Sequence, residues 1–202
     1  VPQLSVIRSW DYPKFMQCPV IIDSMMNLEM IEWHGKRTKD KAALEKAGRH
    51  ADKILASQFR PNGSVYHVTD WNPKTGRIYA RYAWQGACVE GAWARGQAWS
   101  VYGFTMMYRE TKEQRYLEQA IRSADWIIAH APADAIPYWD YVVDPALETE
   151  FQDYGFNAGK DAILRPRDAS AAAVTASALI ELENYAPGKG YRAFAEKILT
   201  FL

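Results

Sequence analysis

The stretch Trp84–Phe104, WQGACVEGAWARGQAWSVYGF, decides how this chain folds. Glu90, Trp93, Ala94, Gln97, Val101, Phe104 and, just beyond, Tyr108 recur at three- and four-residue steps, so the spacing predicts a loop feeding a helix. The composition is odd for a core helix. Gly91 and Gly96 lie within the pattern, where a Gly costs about 1 kcal/mol relative to Ala. Trp84, Trp93 and Trp99 flank Arg95, Gln85 and Gln97. Arg95 and Trp99 are four residues apart and share a face. A fixed cation beside an aromatic plane suits a sugar ring that carries a carboxylate. A packed aromatic core, with Arg95 paired to Glu90 or another acid, fits the same residues.

Downstream, Thr111 reads as the N-cap of a second helix whose core face is Leu117, Ala120, Ile121, Ala124, Ile127 and Ile128. Residues 131–167 read as a long loop. Asp168 is placed to N-cap an Ala-rich helix over 169–185, Pro187-Gly188 breaks it, and a last helix runs from Tyr191. Upstream, SVYHVTDWNPKTGRIYARY (64–82) alternates around a Pro-Lys-Thr-Gly turn and predicts a β-hairpin. Residues 40–59 form an amphipathic helix with Ala43, Ala47, Ala51, Ile54 and Leu55 on one face. The run CPVIIDSMMNLEMIEW (18–33) is apolar almost all round and reads as a buried helix with Pro19 in its first turn and Asp23 inside it. Residues 1–17 read as irregular.

These helices repeat. LEKAGRHADKIL (44–55) matches LEQAIRSADWII (117–128), and AEKIL (195–199) matches ADKIL (51–55). The offsets are 73 residues (124 minus 51) and 71 residues (195 minus 124). Near-equal spacing predicts three αα-hairpins, each with an inward helix followed by an amphipathic outer one, on the arc of an α/α toroid with loops building a site at one rim. The 202 residues carry 24 basic and 24 acidic side chains, which gives no polyanion-binding surface in the totals and hence no nucleic-acid partner. Cys18 and Cys88 are too few and too far apart for a disulfide framework or zinc motif, and no metal or other cofactor is expected. No apolar run reaches the roughly 18 residues of a membrane span, so no membrane partner is expected either.

PVIIDSMMNLEM, SVYHVTDWNPKTG, QGACVEGAWARGQAWSVYGF, PYWDY and PRDASAAAVTASALIEL occur in order over about residues 10–185. In these motifs the chain resembles the unsaturated glucuronyl hydrolases, glycoside hydrolase family 88. The resemblance implies an (α/α)6 barrel, of which 1–202 holds about three hairpins as a partial catalytic domain, with the β-hairpin in a loop. It implies removal of a Δ4,5-unsaturated uronic acid from the non-reducing end of lyase-generated, glycosaminoglycan-type oligosaccharides. The reaction is hydration of the C4=C5 vinyl ether to a hemiketal that opens. Carried onto these motifs, Asp23 is the general acid and base. His67, Gln85, Arg95 and Trp99 surround the sugar, with Trp10 and Trp139 as further stacking walls. The family's second Asp, upstream of PVIID, and its C-terminal sugar-binding residues have no counterpart here, so the chain is expected to be an internal fragment, inactive alone. A bacterial enzyme of the periplasm or cytoplasm is implied, with the oligomeric state open.

From the residues themselves, a carboxyl cycling between protonation states can supply both the proton for carbon and the base for water. Asp23 then needs a raised pKa, and the surrounding Val20, Ile21, Ile22, Met25 and Met26 offer the apolar setting for it. The competing role for Asp23 is a helix cap or bridge; for His67, a loop histidine; for Trp99, core. Asp140 and Asp144 read as solvated loop acids and Asp168 as an N-cap. Two other functions remain open: an unsaturated rhamnogalacturonyl hydrolase, whose motifs are not seen, and a non-catalytic carbohydrate-binding toroid, which would need Trp but no buried Asp23.

Overall fold

A computed structural model describes residues 16–143 and 166–202. Trp10 and Asp144 lie outside them. Among these residues six α-helices follow one another: α1 (Ser24–Thr38), α2 (Lys41–Ser57), α3 (Ala94–Thr111), α4 (Gln114–His130), α5 (Ala169–Glu183) and α6 (Tyr191–Phe201). Strands β1 (Pro19–Ile21), β2 (Val68–Trp71) and β3 (Ile78–Tyr82) form one antiparallel sheet in the order β1-β2-β3.

The six helices make three hairpins, α1/α2, α3/α4 and α5/α6, and α1, α3 and α5 pack side by side as an inner row. Each outer helix packs on its own inner partner. This is the arc of an α/α toroid that the repeat predicts. The matched segments 44–55, 117–128 and 195–199 lie on α2, α4 and α6, where Ala47, Ala51 and Ile54, Leu117, Ala120, Ala124 and Ile127, and Ala195 and Ile198 are buried. The inner row is built on small residues. Ala98 of α3 and Ala171, Ala172 and Ala176 of α5 are buried, and a Cβ added at Gly103 would lie 2.4 Å from Met25 Cβ of α1. At the far end of the row, Arg109 of α3 bonds Glu181 of α5 at 3.0 Å and also pairs with Glu29 of α1 and Glu110.

Three expectations need correction. Residues 18–33 are not one buried helix. Pro19–Ile21 is an edge strand and helix begins only at Ser24. Pro19 has no N–H for a ladder and sits at the first position of an edge strand, where that is harmless, and the β-branched Val20, Ile21 and Ile22 favour extension. The apolar run is not buried throughout either: Met30 and Trp33 are 70% and 59% exposed on α1. The hairpin is accordingly two strands of a three-stranded sheet. Finally, Thr111 ends α3 instead of capping α4. Its Oγ1 donates to Met107 O (2.6 Å) and accepts from Glu113 N (3.2 Å), Lys112 takes φ 62°, and Glu113 occupies the N-cap. A Thr hydroxyl returning to the carbonyl four back prolongs a helix as readily as it starts one.

Candidate functional site

The inner helices run parallel, so their N-termini meet at one rim: Asp23 is the N-cap of α1, Arg95 the second residue of α3 and Asp168 the N-cap of α5. His67 leads into β2 and Gln85 follows β3, so the sheet folds over that rim. Asp23 is not spent on capping, because its side chain makes no cap hydrogen bond. Its Oδ1 is buried without a partner and lies 3.9 Å from His67 Nε2, which is likewise buried and unpartnered. The Asp23 side chain keeps 19% exposure, so its other face stays open.

His67 has its tautomer set by its neighbour. The Gln85 backbone N–H donates to Nδ1 at 3.0 Å, so a neutral ring carries its proton on Nε2, toward Asp23. Burial first, then the Arg95 charge, holds the imidazole down to a pKa of about 3, against a smaller upward pull from the bond to Gln85. The 3.9 Å approach is therefore no ion pair, and it is too long for a direct hydrogen bond. Burial pushes the Asp23 carboxyl up, opposed by its own backbone N–H and by Arg95. The His67 ring lies 4.2 Å from that of Trp93, and Arg95 Cζ lies 4.9 Å from the Trp93 ring centre. Arg95 pairs with an acid, but with Asp168 (Nη1–Oδ2 3.1 Å) and not with Glu90, which takes the Tyr66 hydroxyl and Arg60. Asp168 also caps α5 by accepting from Ala171 N at 2.8 Å, so its expected capping role is one of two.

Asp23, His67, Gln85 and Arg95 thus converge at one rim. Gln85 is exposed at its edge. Trp99 lies one turn further along α3 and lines, with Met26, Tyr102, Ala173, Val174 and Ser177, a groove of about 320 Å³ on the inner face of all three inner helices. Trp139 approaches the start of α3 through its peptide: its carbonyl accepts from Ala94 N at 2.9 Å. Among the described residues, no group of three His, Cys, Asp or Glu could hold a metal, and no helix is long and apolar enough to cross a membrane.

Two contributors went unseen in the sequence. One is Trp93, the plate between His67 and Arg95. The other is Asp140, read as a solvated loop acid but fully buried. It accepts from the backbone N–H groups of Ala87 (2.9 Å), Ala92 (2.8 Å) and Val142 (3.0 Å). The loop bearing Gln85 and leading to Arg95 wraps this carboxylate. A Cβ at Gly86 or Gly91 would come within 2.8 or 2.9 Å of Asp140 Oδ2. That pair of glycines was the available signal.

A pH dependence of stability follows. Below about pH 6.5 the unfolded chain protonates His67 while the folded one does not, down to about 3, so stability falls as pH falls across that window. The slope from this residue approaches about 1.4 kcal/mol per pH unit. His50, lowered by burial, adds to it. The carboxyls of Asp23, Glu32 and Asp140, all raised by burial, oppose it. Urea unfolding should give a lower midpoint at pH 5 than at pH 7, with the difference reduced in His67→Gln; an undiminished difference would remove His67 as the cause.

No protein-family profile matches the chain. Among curated proteins, it is 41% identical over 199 residues to an unsaturated glucuronyl hydrolase of Formosa agariphila, covering 97% of this chain and 46% of that protein. Among solved structures, it is similar to an unsaturated glucuronyl hydrolase specific for heparin (TM-score 0.81, 42% identity, 96% of this chain and 48% of that one). It is also similar to the unsaturated glucuronyl hydrolase of Bacillus sp. GL1 (TM-score 0.79, 28% identity, 98% and 50%). The chain spans about half the length of the curated relatives it matches.

Proposed function

We infer that this chain, which belongs to the unsaturated glucuronyl hydrolase family, supplies the proton-transfer wall of an enzyme that removes a Δ4,5-unsaturated uronic acid from the non-reducing end of oligosaccharides. The observation that carries this reading is the Asp23–His67 pair: a carboxyl raised by burial, not used as a cap, facing a neutral imidazole across 3.9 Å. The protonated Asp23 gives its proton to C4 of the vinyl ether. The carboxylate so formed takes a proton from the water that adds at C5, which restores the acid. The hemiketal then opens and releases the remaining sugar. His67, donating through Nε2, holds the water or a hydroxyl in place.

Arg95 keeps one edge on Asp168 and offers the rest of its fork to the uronate. Three helix N-termini at the same rim favour the same anion. Trp99 offers a stacking face in its groove, Gln85 a hydroxyl contact at the rim, and Trp10 and Trp139 further walls. The substrates proposed are glycosaminoglycan-type unsaturated disaccharides, in line with the heparin named for the 42%-identical neighbour.

The test uses protein at the full length of its relatives and follows the loss of ultraviolet absorbance of the conjugated double bond. Unsaturated heparin and chondroitin disaccharides should be turned over and unsaturated pectin fragments should not; binding without turnover of any would overturn the reading. Trp99→Ala should weaken disaccharide binding by an amount on the order of 1 kcal/mol, read in KM while kcat holds.

A further inference from the structure

Nothing bonds Asp23 to His67 directly, so their spacing is a property of the backbone that carries them. That backbone meets at one buried side chain. Gln58, the C-cap residue of α2, is 1% exposed. Its Nε2 donates to Val20 O of β1 at 3.0 Å and to His67 O at 3.4 Å. The His67 carbonyl accepts a second bond from Ile22 N, the residue before Asp23, at 3.1 Å. Gln58 is itself fixed at both ends of its peptide, through its N–H to Ile54 O (2.9 Å) and its carbonyl from Tyr66 N (2.7 Å). On the other side of the turn, Ser24 Oγ donates to Ile21 O and lies 2.7 Å from His50 Nε2.

We propose that Gln58 is the positioning residue for the reaction, its one amide clamping β1, which leads to Asp23, to the residue that leads into β2, His67. The proposal rests on the function inferred above. The C-terminal end of outer helix α2 thereby sets the geometry of the site through the sheet, although Gln58 touches neither substrate nor reacting atoms. Without that amide the Val20 carbonyl loses a donor and the His67 carbonyl is left with Ile22 N, and the two strands shift to recover the lost bonds. A misplacement on the order of 1 Å at a reacting pair is enough to lower the rate by up to about a hundredfold.

The groups facing Asp23 are His67 from the sheet, Arg95 from α3 with Asp168 of α5 behind it, and His50 of α2 through Ser24. A change at Gln58 removes none of these groups. Looser packing reduces the burial that raises the Asp23 carboxyl, so the high-pH limb of kcat, where that proton is lost, moves to lower pH.

The experiment measures kcat, KM and thermal midpoint against pH for the full-length enzyme and for Gln58→Met and Gln58→Glu. The Met variant keeps the length but has no donor; it should lose about tenfold or more in kcat, with KM within about twofold and the high-pH limb shifted acidward. The Glu variant should recover relative to the parent as pH falls, because a protonated carboxyl regains one O–H to donate. A lowered thermal midpoint with parental kcat and an unmoved limb, or a Glu-to-parent ratio flat with pH, overturns the proposal. Asp23→Asn in the same series separates the two readings. If it stays active, the assigned function fails; if it is dead while Gln58→Met turns over normally, only the positioning role fails.

Discussion

Turnover of an unsaturated uronyl disaccharide falls by about two to four orders of magnitude when Asp23 becomes Asn. The amide keeps the shape of the carboxyl but has no proton to give to C4 and no lone-pair charge to take one from water. Its effect on the fold is small, because the Asp23 side chain makes no cap bond and its Oδ1 has no hydrogen-bond partner to lose. At neutral pH the variant is as stable as the parent or more so, since a neutral amide replaces a group whose ionised form burial disfavours. Disaccharide affinity is retained through Arg95 and Trp99. Calorimetric binding together with the absorbance assay checks both halves. Turnover within a few-fold of the parent removes Asp23 from the chemistry, and lost binding would make it a substrate contact instead.

The largest loss of stability comes from a residue that does no chemistry. Asp140→Ala leaves three buried backbone N–H groups without an acceptor. At about 1–3 kcal/mol for each orphaned group, less what solvent or rearrangement recovers, the cost is about 3–5 kcal/mol. Asp140→Asn is milder. One oxygen can still accept from Ala92 and Val142, while the amide nitrogen meets the Ala87 N–H donor to donor. Urea unfolding should rank parent, Asn and Ala in that order. A shift within about 0.5 kcal/mol for Ala, the range of an ordinary surface acid, would show that the loop does not depend on it. Activity declines with stability here, because the wrapped loop presents Gln85 and delivers Arg95.

The sequence carried the arc of hairpins clearly, because amphipathic helices write burial as a period and the matched segments on α2, α4 and α6 repeat their buried positions. It carried the capping by Asp168 for the same local reasons, but not the start of α3, which begins at Ala94 although the periodic pattern reaches back to Glu90. Local signals failed where two structures use the same residues. An apolar run with Pro at its head serves a buried helix or an edge strand, and Pro19–Ile21 took the second. The apolar pattern of α1 does not distinguish a face packed on α3 from one that leaves Met30 and Trp33 open. Asp140 was misread because its environment is made by a segment some fifty residues earlier; hydrogen-bond distances of 53 and 48 positions in sequence leave no periodic trace. The rim was legible as four residue types, but their pairing was not. That Arg95 meets Asp168, and that His67 accepts from the Gln85 peptide, depend on how the helices and sheet close together.

Gly103 gives the wall its curvature. Where a Cβ would stand 2.4 Å from Met25, two inner helices pack with no room for a side chain between them, while each outer helix packs chiefly on its own partner. Each hairpin is therefore a wedge, thin toward the axis and thick toward the rim of the ring, like a stone in an arch. The radius of such an arch is written in the smallest side chains on its inner side. Enlarging one of them would flatten the arc and splay the helix ends that hold Asp23 and Arg95.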